Sequence, residues 1–410
     1  MRVLILSQYY TPEPVPKPGE LALALAERGH SVAVITGFPN YPSGKLYPGF
    51  RLGIVKREKI DGVPVTRTYE FPYHGKNALG RVLNYVSFML SAPLGSFFAP
   101  KCDAIYVWHP PLTMGLPAWL IARMRRVPFV YDVQDIWPEA AVVSGLLKRG
   151  WLVDLMDKLE KFVYRRADHV LVVTDEARDN LISKGVPTAK ISVLPHWIEE
   201  SIFEQNEENA GSRLREEYLW QDRFVVLFAG NVGIVQGLEV LVRAAGELRN
   251  NPEILIALVG DGTDKARLQK LADEMGVRNL HFIERQPMER MPEFMNAADA
   301  LLVHLKKSEF SRTAIPGKTL AYLAAGKPIL MAVEGAAAQL ITKAGAGIVV
   351  SPEDPAALAE AIRSASAMPK SERAAMGERG RKYLLENLSK QKVISQYEEI
   401  LQRVANRDGR

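Results

Sequence analysis

Ile315-Pro316-Gly317-Lys318-Thr319 reads as a loop opening a helix, and Gly326-Lys327-Pro328 ends that helix before the buried run Ile329-Leu330-Met331. Pro316 at the first turn costs nothing, because its missing N–H would have no intrahelical partner. Gly317 lets a ligand approach the backbone, and the next amides point out along the positive end of the helix. Lys318 adds a full charge at the same place, with Thr319 beside it. The chemistry on offer is a seat for a phosphate or diphosphate.

Further groups follow apolar runs of strand type, where open α/β sheets bind ligands. Tyr9–Gly19 is a loop leading into a helix expected to begin at Gly19, which can offer backbone amides to a phosphate. It lacks G-x-G-x-x-G, so the dinucleotide fingerprint is absent. His109, in Tyr106-Val-Trp-His-Pro-Pro111, stands just past a buried strand. A neutral imidazole there can bond a sugar hydroxyl or steady a developing charge, and a purely structural histidine fits as well. Tyr131–Glu139 gathers Asp132, Asp135 and Glu139 around Trp137, a set suited to a sugar or an acceptor. Asp135 as a cap with Pro138 in the first turn also describes a plain helix start. Gly230, Gly233 and Gly237 form a loop with Asn231 and Gln236, and Val259-Gly-Asp-Gly262 ends another strand. With Pro316–Lys318 these loops line one rim of the second half, which favours a nucleotide diphosphate.

The elements that must carry these groups follow from composition and pattern. A chain of 410 residues, 47% hydrophobic, can build two cores. The single Cys102 excludes a disulfide framework and a cysteine zinc site and suits a reducing compartment. The N-terminus enters an apolar strand directly, too short a run for a signal peptide, so a cytoplasmic location is expected. Residues 1–195 carry 24 Lys and Arg against 17 Asp and Glu, and the remainder 28 against 30. A basic first half points to an anionic surface or substrate, with membrane lipid and phosphorylated acceptors both eligible. Nucleic acid is disfavoured, since no basic run is interleaved with aromatics.

Both halves alternate strands and helices, which implies parallel sheets covered on both faces. The polar stretch Glu199–Glu217 reads as the interdomain linker. Residues 82–99 carry no charge, yet Asn84, three serines, Pro93 and Gly95 oppose a membrane span. An interfacial helix pair and a buried core helix both fit this segment.

The set Leu25-Ala-Glu-Arg-Gly-His-Ser-Val-Ala-Val-Ile-Thr36, Gly230–Gly237, Val259–Gly262, Ala297-Ala-Asp299 and Tyr322–Ile329 resembles the retaining glycosyltransferases of family 4. The resemblance runs nearly end to end. Val133–Glu139, Gly230–Gly237 and Pro316–Tyr322 are similar, more narrowly, to the WbuB-type L-fucosamine transferases of bacterial surface polysaccharide synthesis. It implies the GT-B fold: two Rossmann-like, doubly wound parallel-sheet α/β domains facing across a cleft. The implied domains are residues 1–198 for the acceptor, the linker 199–217, residues 218–388 for the donor, and a C-terminal helix, 389–410, packing back on the first domain.

The resemblance also implies a UDP-linked donor, with an N-acetylated deoxyhexose such as N-acetyl-L-fucosamine, and a polyprenyl-diphosphate-linked acceptor. The enzyme would sit peripherally on the inner face of the cytoplasmic membrane. Transfer would retain configuration by front-face displacement, without metal or cofactor. His109 would touch the donor sugar and Lys318 the departing diphosphate. The other donor contacts would be Gly19, Gly230, Asn231, Gly233, Gln236, Gly262, Arg285, Arg312, Pro316, Gly317 and Thr319. Asp132, Asp135, Trp137 and Glu139 would face the acceptor. One departure stands out: the two glutamates usual in the family fall at Thr313 and Ala321. Competing readings are a nucleotide-sugar epimerase of the same fold and a non-catalytic scaffold of a polysaccharide-synthesis complex.

Overall fold

Val3–Leu6 organises the first half, its side chains at most 1% exposed. A strand so buried on both faces needs helices on each side, which is the parallel-sheet arrangement. The computed structural model describes residues 1–75, 77–139, 142, 150–198 and 210–407. Two compact units emerge: Met1–Pro195 together with Ile394–Arg410, and His196–Val393.

The first unit holds an eight-stranded sheet. Its strands are β1 (Arg2–Leu6), β2 (Ser31–Gly37), β3 (Val55–Ile60), β4 (Val63–Thr68), β5 (Ala104–His109), β6 (Phe129–Val133), β7 (His169–Val172) and β8 (Ile191–Val193). Their order is β3-β4-β2-β1-β5-β6-β7-β8. Every pairing is parallel except β3 with β4, a hairpin turning at Asp61 and Gly62, both at positive φ. The sequence reading missed β3 because Val-Lys-Arg-Glu-Lys-Ile carries charge along its length, as edge strands do. Chain order reverses between β1's neighbours β2 and β5, so the ends of β1 and β5 flank a switch point.

The second unit holds six strands: β9 (Phe224–Ala229), β10 (Ile254–Val259), β11 (Leu280–Ile283), β12 (Ala300–His304), β13 (Ile329–Ala332) and β14 (Gly347–Val349). They are ordered β11-β10-β9-β12-β13-β14 and all parallel. Reversal here falls between β9 and β12.

Three expectations are corrected. The first helix is Pro16–Glu27, not one opening at Gly19. Prolines 16 and 18 fit its first turn, and Gly19 becomes the fourth helical residue. Gly19 is therefore not the residue that opens the helix. Its missing Cβ instead keeps clear of Thr11 Oγ1, 3.3 Å from where that atom would lie. Residues 82–99 form no helix pair: one helix spans Ala78–Gly95, capped by the Asn77 side chain, with Phe88 in the core. Of the linker, residues 199–209 lie outside the described residues, while Ala210–Glu217 is a helix that buries Ala210 and Leu214.

The terminal helix, Lys390–Arg407, brings Tyr397 and Glu398 to the first unit. Glu398 accepts from Arg28 at 2.8 Å and meets His30 Nε2 at 2.7 Å.

Candidate active site

Strand β9 delivers Phe228 and Ala229 to its carboxyl end, and Gly230 turns away at φ +134°, a conformation that favours glycine. The helix Gly317–Ala324, after β12, is pinned onto this end by Tyr322, whose hydroxyl accepts from the Ala229 amide at 3.0 Å. Lys318 at its start lays its Nζ 3.5 Å from the centroid of the Phe228 ring. That Nζ is buried without a hydrogen-bond partner among the described residues, and burial lowers its pKa to about 7. Lys318 is only half-buried as a residue, so it is the shielding of Nζ itself that shifts the ionisation.

Thr319 Oγ1 is also buried and unpartnered, while the Thr319 amide donates to Pro316 O at 2.8 Å. No side chain caps the helix, and the space where a Gly317 Cβ would sit is open. An uncapped positive helix end, an orphan ammonium and an orphan hydroxyl converge here. Their common complement is an oxyanion.

The two glycine loops prove to do different things. A Cβ on Gly260 would lie 1.9 Å from Gly230 O, and one on Gly262 would lie 2.3 Å from Val232 O. The loops bond directly, Gly230 N to Val259 O at 2.9 Å and Val232 N to Asp261 O at 2.9 Å. Gly262 thus lets main chain pack on main chain, a correction to its reading as a phosphate contact. Gln236 Oε1 accepts from the Gly233 amide at 3.1 Å and closes the turn, with Asn231 beside it.

His304, at the end of β12, fixes the loop. Its Nδ1 donates to Gln236 O at 2.6 Å, and its Nε2 accepts from the Glu353 amide at 3.2 Å. Both ring nitrogens are used by a neutral imidazole, and burial lowers its pKa. Sequence reasoning missed it. The signal was a polar residue closing an otherwise apolar strand. Arg312 is exposed, its carbonyl facing Gly335. Arg285 follows β11, two strands from β9. Ala321 packs against the apolar core.

In the first unit, His109 closes β5 at the switch point, 1% exposed. Burial holds its pKa down to about 3, so the ring is neutral, and its Nδ1 has no partner among the described residues. Trp137 meets it edge-on at 6.4 Å between centroids, and Tyr131 lies at 5.6 Å. Burial raises the pKa of Asp135. Glu139 ion-pairs with Lys184 at 2.8 Å, which holds buried Glu160 at 2.8 Å as well.

Asp132 is a correction. It is fully buried and accepts from Tyr106 at 2.5 Å and Tyr397 at 2.9 Å, which ties the terminal helix to the sheet and removes it from any acceptor surface. Burial pushes its pKa up to about 6.

A second network escaped the sequence entirely. Glu70 Oε1 accepts from Gln8, Asn40 and Asn84 at 3.0, 3.0 and 2.7 Å. Glu13 accepts from the Asn40 and Tyr41 amides at 2.8 Å each. These bonds brace the loops after β1 and β2. Among the described residues no three His, Cys, Asp or Glu side chains come together to hold a metal ion.

Two family models cover the chain: a glycosyl transferase 4-like domain over residues 17–197 and glycosyl transferases group 1 over residues 212–383. The chain belongs to glycosyltransferase family 4, as a relative aligned over nearly its whole length makes plain. That relative is the putative colanic acid biosynthesis glycosyl transferase WcaI of Escherichia coli K12. It is 30% identical over 409 residues, spanning 97% of this chain and 98% of its own. The probable glycosyltransferase WbjE of Pseudomonas aeruginosa is 29% identical over 301 residues, 72% of this chain and 74% of its own. Among solved structures, Anabaena HepE in complex with UDP superposes with TM-score 0.73 at 16% identity, covering 98% and 100% of the two chains. WaaG, a glycosyltransferase involved in lipopolysaccharide biosynthesis, gives 0.66 at 18% identity, covering 98% and 99%. The fold is accordingly GT-B.

Proposed function

We propose that the chain moves a sugar from a UDP-sugar to a lipid-diphosphate-linked saccharide in bacterial surface-polysaccharide synthesis, retaining anomeric configuration. The observation that carries this is the buried, unpartnered Lys318 Nζ beside the unpartnered Thr319 hydroxyl at an uncapped helix start. Support for UDP comes from Anabaena HepE, solved with UDP and glucose. Support for the polysaccharide context comes from the names of the WcaI and WaaG relatives. An N-acetylated deoxyhexose such as N-acetyl-L-fucosamine is the donor sugar that the motifs Val133–Glu139 and Pro316–Tyr322 favour.

In this reading the donor's C1–O bond breaks and the departing β-phosphate oxygen takes the proton of the acceptor hydroxyl. The acceptor oxygen then bonds C1 from the same face. Lys318, Thr319 and the helix amides stabilise the negative charge that grows on the diphosphate, a term worth roughly 3–4 kcal/mol per well-placed donor. Neutral His109 holds a hydroxyl of the donor sugar. Asp135, Trp137 and Glu139 line the path of the acceptor.

The test is incubation with a panel of UDP- and GDP-sugars and a polyprenyl-diphosphate-linked acceptor, with products analysed for linkage. Acceptor-dependent UDP release with a glycosylated lipid is the expected result. Turnover of donor without acceptor, or neither binding nor transfer across the panel, overturns it.

A further inference from the structure

Strands β5 and β6 run side by side with His109 opposite Val133, so Gln134 leaves the sheet one residue past the partner of the buried imidazole. Both polar atoms of its side chain, Oε1 and Nε2, are buried without a hydrogen-bond partner among the described residues, although Gln134 as a residue is partly exposed. Burial dominates the raised pKa of Asp132, and the Gln134 amide offsets it in part as a nearby dipole, without reaching hydrogen-bond geometry. Thr113 Oγ1, in the turn Leu112–Met114 after β5, is likewise buried and unpartnered. Tyr131 of β6 reaches that turn, its hydroxyl donating to Leu112 O at 3.4 Å. Two adjacent strand ends thus hold four orphan polar atoms: His109 Nδ1, Thr113 Oγ1 and the pair on Gln134.

Buried polar atoms are almost always paired, so an amide with both ends unpaired asks what pairs it. Gln134 offers an acceptor and a donor from one plane, and turning the amide over leaves the same request. A phosphate or carboxylate only accepts, which leaves Oε1 facing another acceptor. An ammonium only donates, which leaves Nε2 unmet. Hydroxyls do both, so two neighbouring hydroxyls on one ring satisfy the pair, one donating to Oε1 and the other accepting from Nε2. The surroundings agree. Burial holds His109 neutral and raises the pKa of Asp135, so charge of either sign is disfavoured at these strand ends. The rings of Trp137 and Tyr131 beside His109 add apolar surface for the C–H groups of a sugar.

We infer that Gln134 is a specificity-determining residue that binds two neighbouring hydroxyls of an uncharged sugar ring, with Thr113 taking a further hydroxyl. The ring read here carries neither phosphate nor carboxylate, although the basic composition of the first half makes phosphorylated acceptors eligible. Donor and acceptor sugars share this chemistry, and the experiment separates them. The inference rests on the saccharide transfer proposed above and names what one part of that site reads.

Calorimetric affinities of the full chain test it in two arms, UDP-sugars and short prenyl-diphosphate sugars. Each arm carries glucose, galactose, mannose, N-acetylglucosamine and glucuronic acid, and its tightest neutral ligand is then taken through a monodeoxy series. In one arm, deletion of either of two neighbouring hydroxyls should weaken binding to the wild type roughly tenfold or more. Gln134→Met, of similar size but without the amide, should bind the parent sugar and those two deoxy analogues about equally, a coupling that a merely structural residue does not produce. The arm that responds identifies the sugar. Circular dichroism and unchanged UDP affinity certify the variant, and the wild-type series alone decides the case if the variant does not fold. Four results overturn the inference: no pair of neighbouring hydroxyls matters, the pattern survives Gln134→Met, the glucuronate binds best, or the folded variant loses UDP affinity, which would assign the amide to the nucleobase. Affinity needs no turnover, so absent transfer with the coupling intact overturns only the transferase reading, and transfer without the coupling overturns only this one.

Discussion

Lys318 is a cation held where a cation should not rest. Its Nζ sits against an aromatic face and a glycine, with burial holding its pKa near 7, so the amine is partly uncharged at neutral pH. In the proposed reading a bound diphosphate would supply the missing counter-charge and raise that pKa. Binding of UDP should therefore take up a proton, and affinity should be greatest below about pH 7 and fall as pH rises towards the pKa of the occupied site. Calorimetry in buffers of different ionisation enthalpy measures this uptake, and Lys318→Ala should abolish it. The same variant should lower kcat/KM by about 10²–10³-fold if the residue acts on the leaving group. The position of Lys318 was legible, because proline, glycine and lysine at a helix start carry their own geometry. Its isolation was not, since that depends on Phe228 and Gly230, some ninety residues away in sequence.

At the level of elements, glycines of one appearance divide into two kinds. Gly317 opens on free space, so Gly317→Ala should leave thermal stability nearly unchanged and show itself in UDP affinity. Gly262 faces Val232 O at a distance no Cβ can occupy, so Gly262→Ala should destabilise the fold by roughly 1–3 kcal/mol. Denaturant titrations of the two variants distinguish the cases.

The terminal helix offers a second test. Asp132, buried beneath Tyr106 and Tyr397, keeps its proton to about pH 6, against an ordinary value of 3.8. A raised carboxyl pKa means that the folded state binds the proton more tightly. This contribution is complete below about pH 4 and lost as pH rises through 6. Asp132→Asn, which keeps an acceptor for both hydroxyls without the charge, should gain stability relative to the wild type across that window and hold the gain above it. Tyr397→Phe should cost about 1 kcal/mol. Melting curves at pH 4 and pH 7 check both. No sequence pattern marked Asp132 as structural, because its partners lie 26 and 265 residues away.

For the molecule as a whole, a ligand that binds only the folded state stabilises it by mass action. UDP at about a hundred times its Kd should add roughly 2.7 kcal/mol. The corresponding rise in melting temperature should vanish in Lys318→Ala, which removes the proposed diphosphate contact.

The sequence by itself determined the two parallel sheets, because continuous apolar runs alternating with helical patterns have few other ways to bury themselves. It also determined the helix start near Pro316–Thr319 and the place of His109 at the carboxyl end of a buried strand, since both are properties of consecutive residues. Only the tertiary structure decided which polar groups were free. Gly262 and Asp132, chemically eligible in the sequence, are consumed by packing and by two tyrosines, while His304 and the Glu70 network are built from residues far apart in the chain. Hydrogen bonds and burial act between neighbours in space, and spacing along a chain specifies those neighbours only within a helix turn or a strand pair.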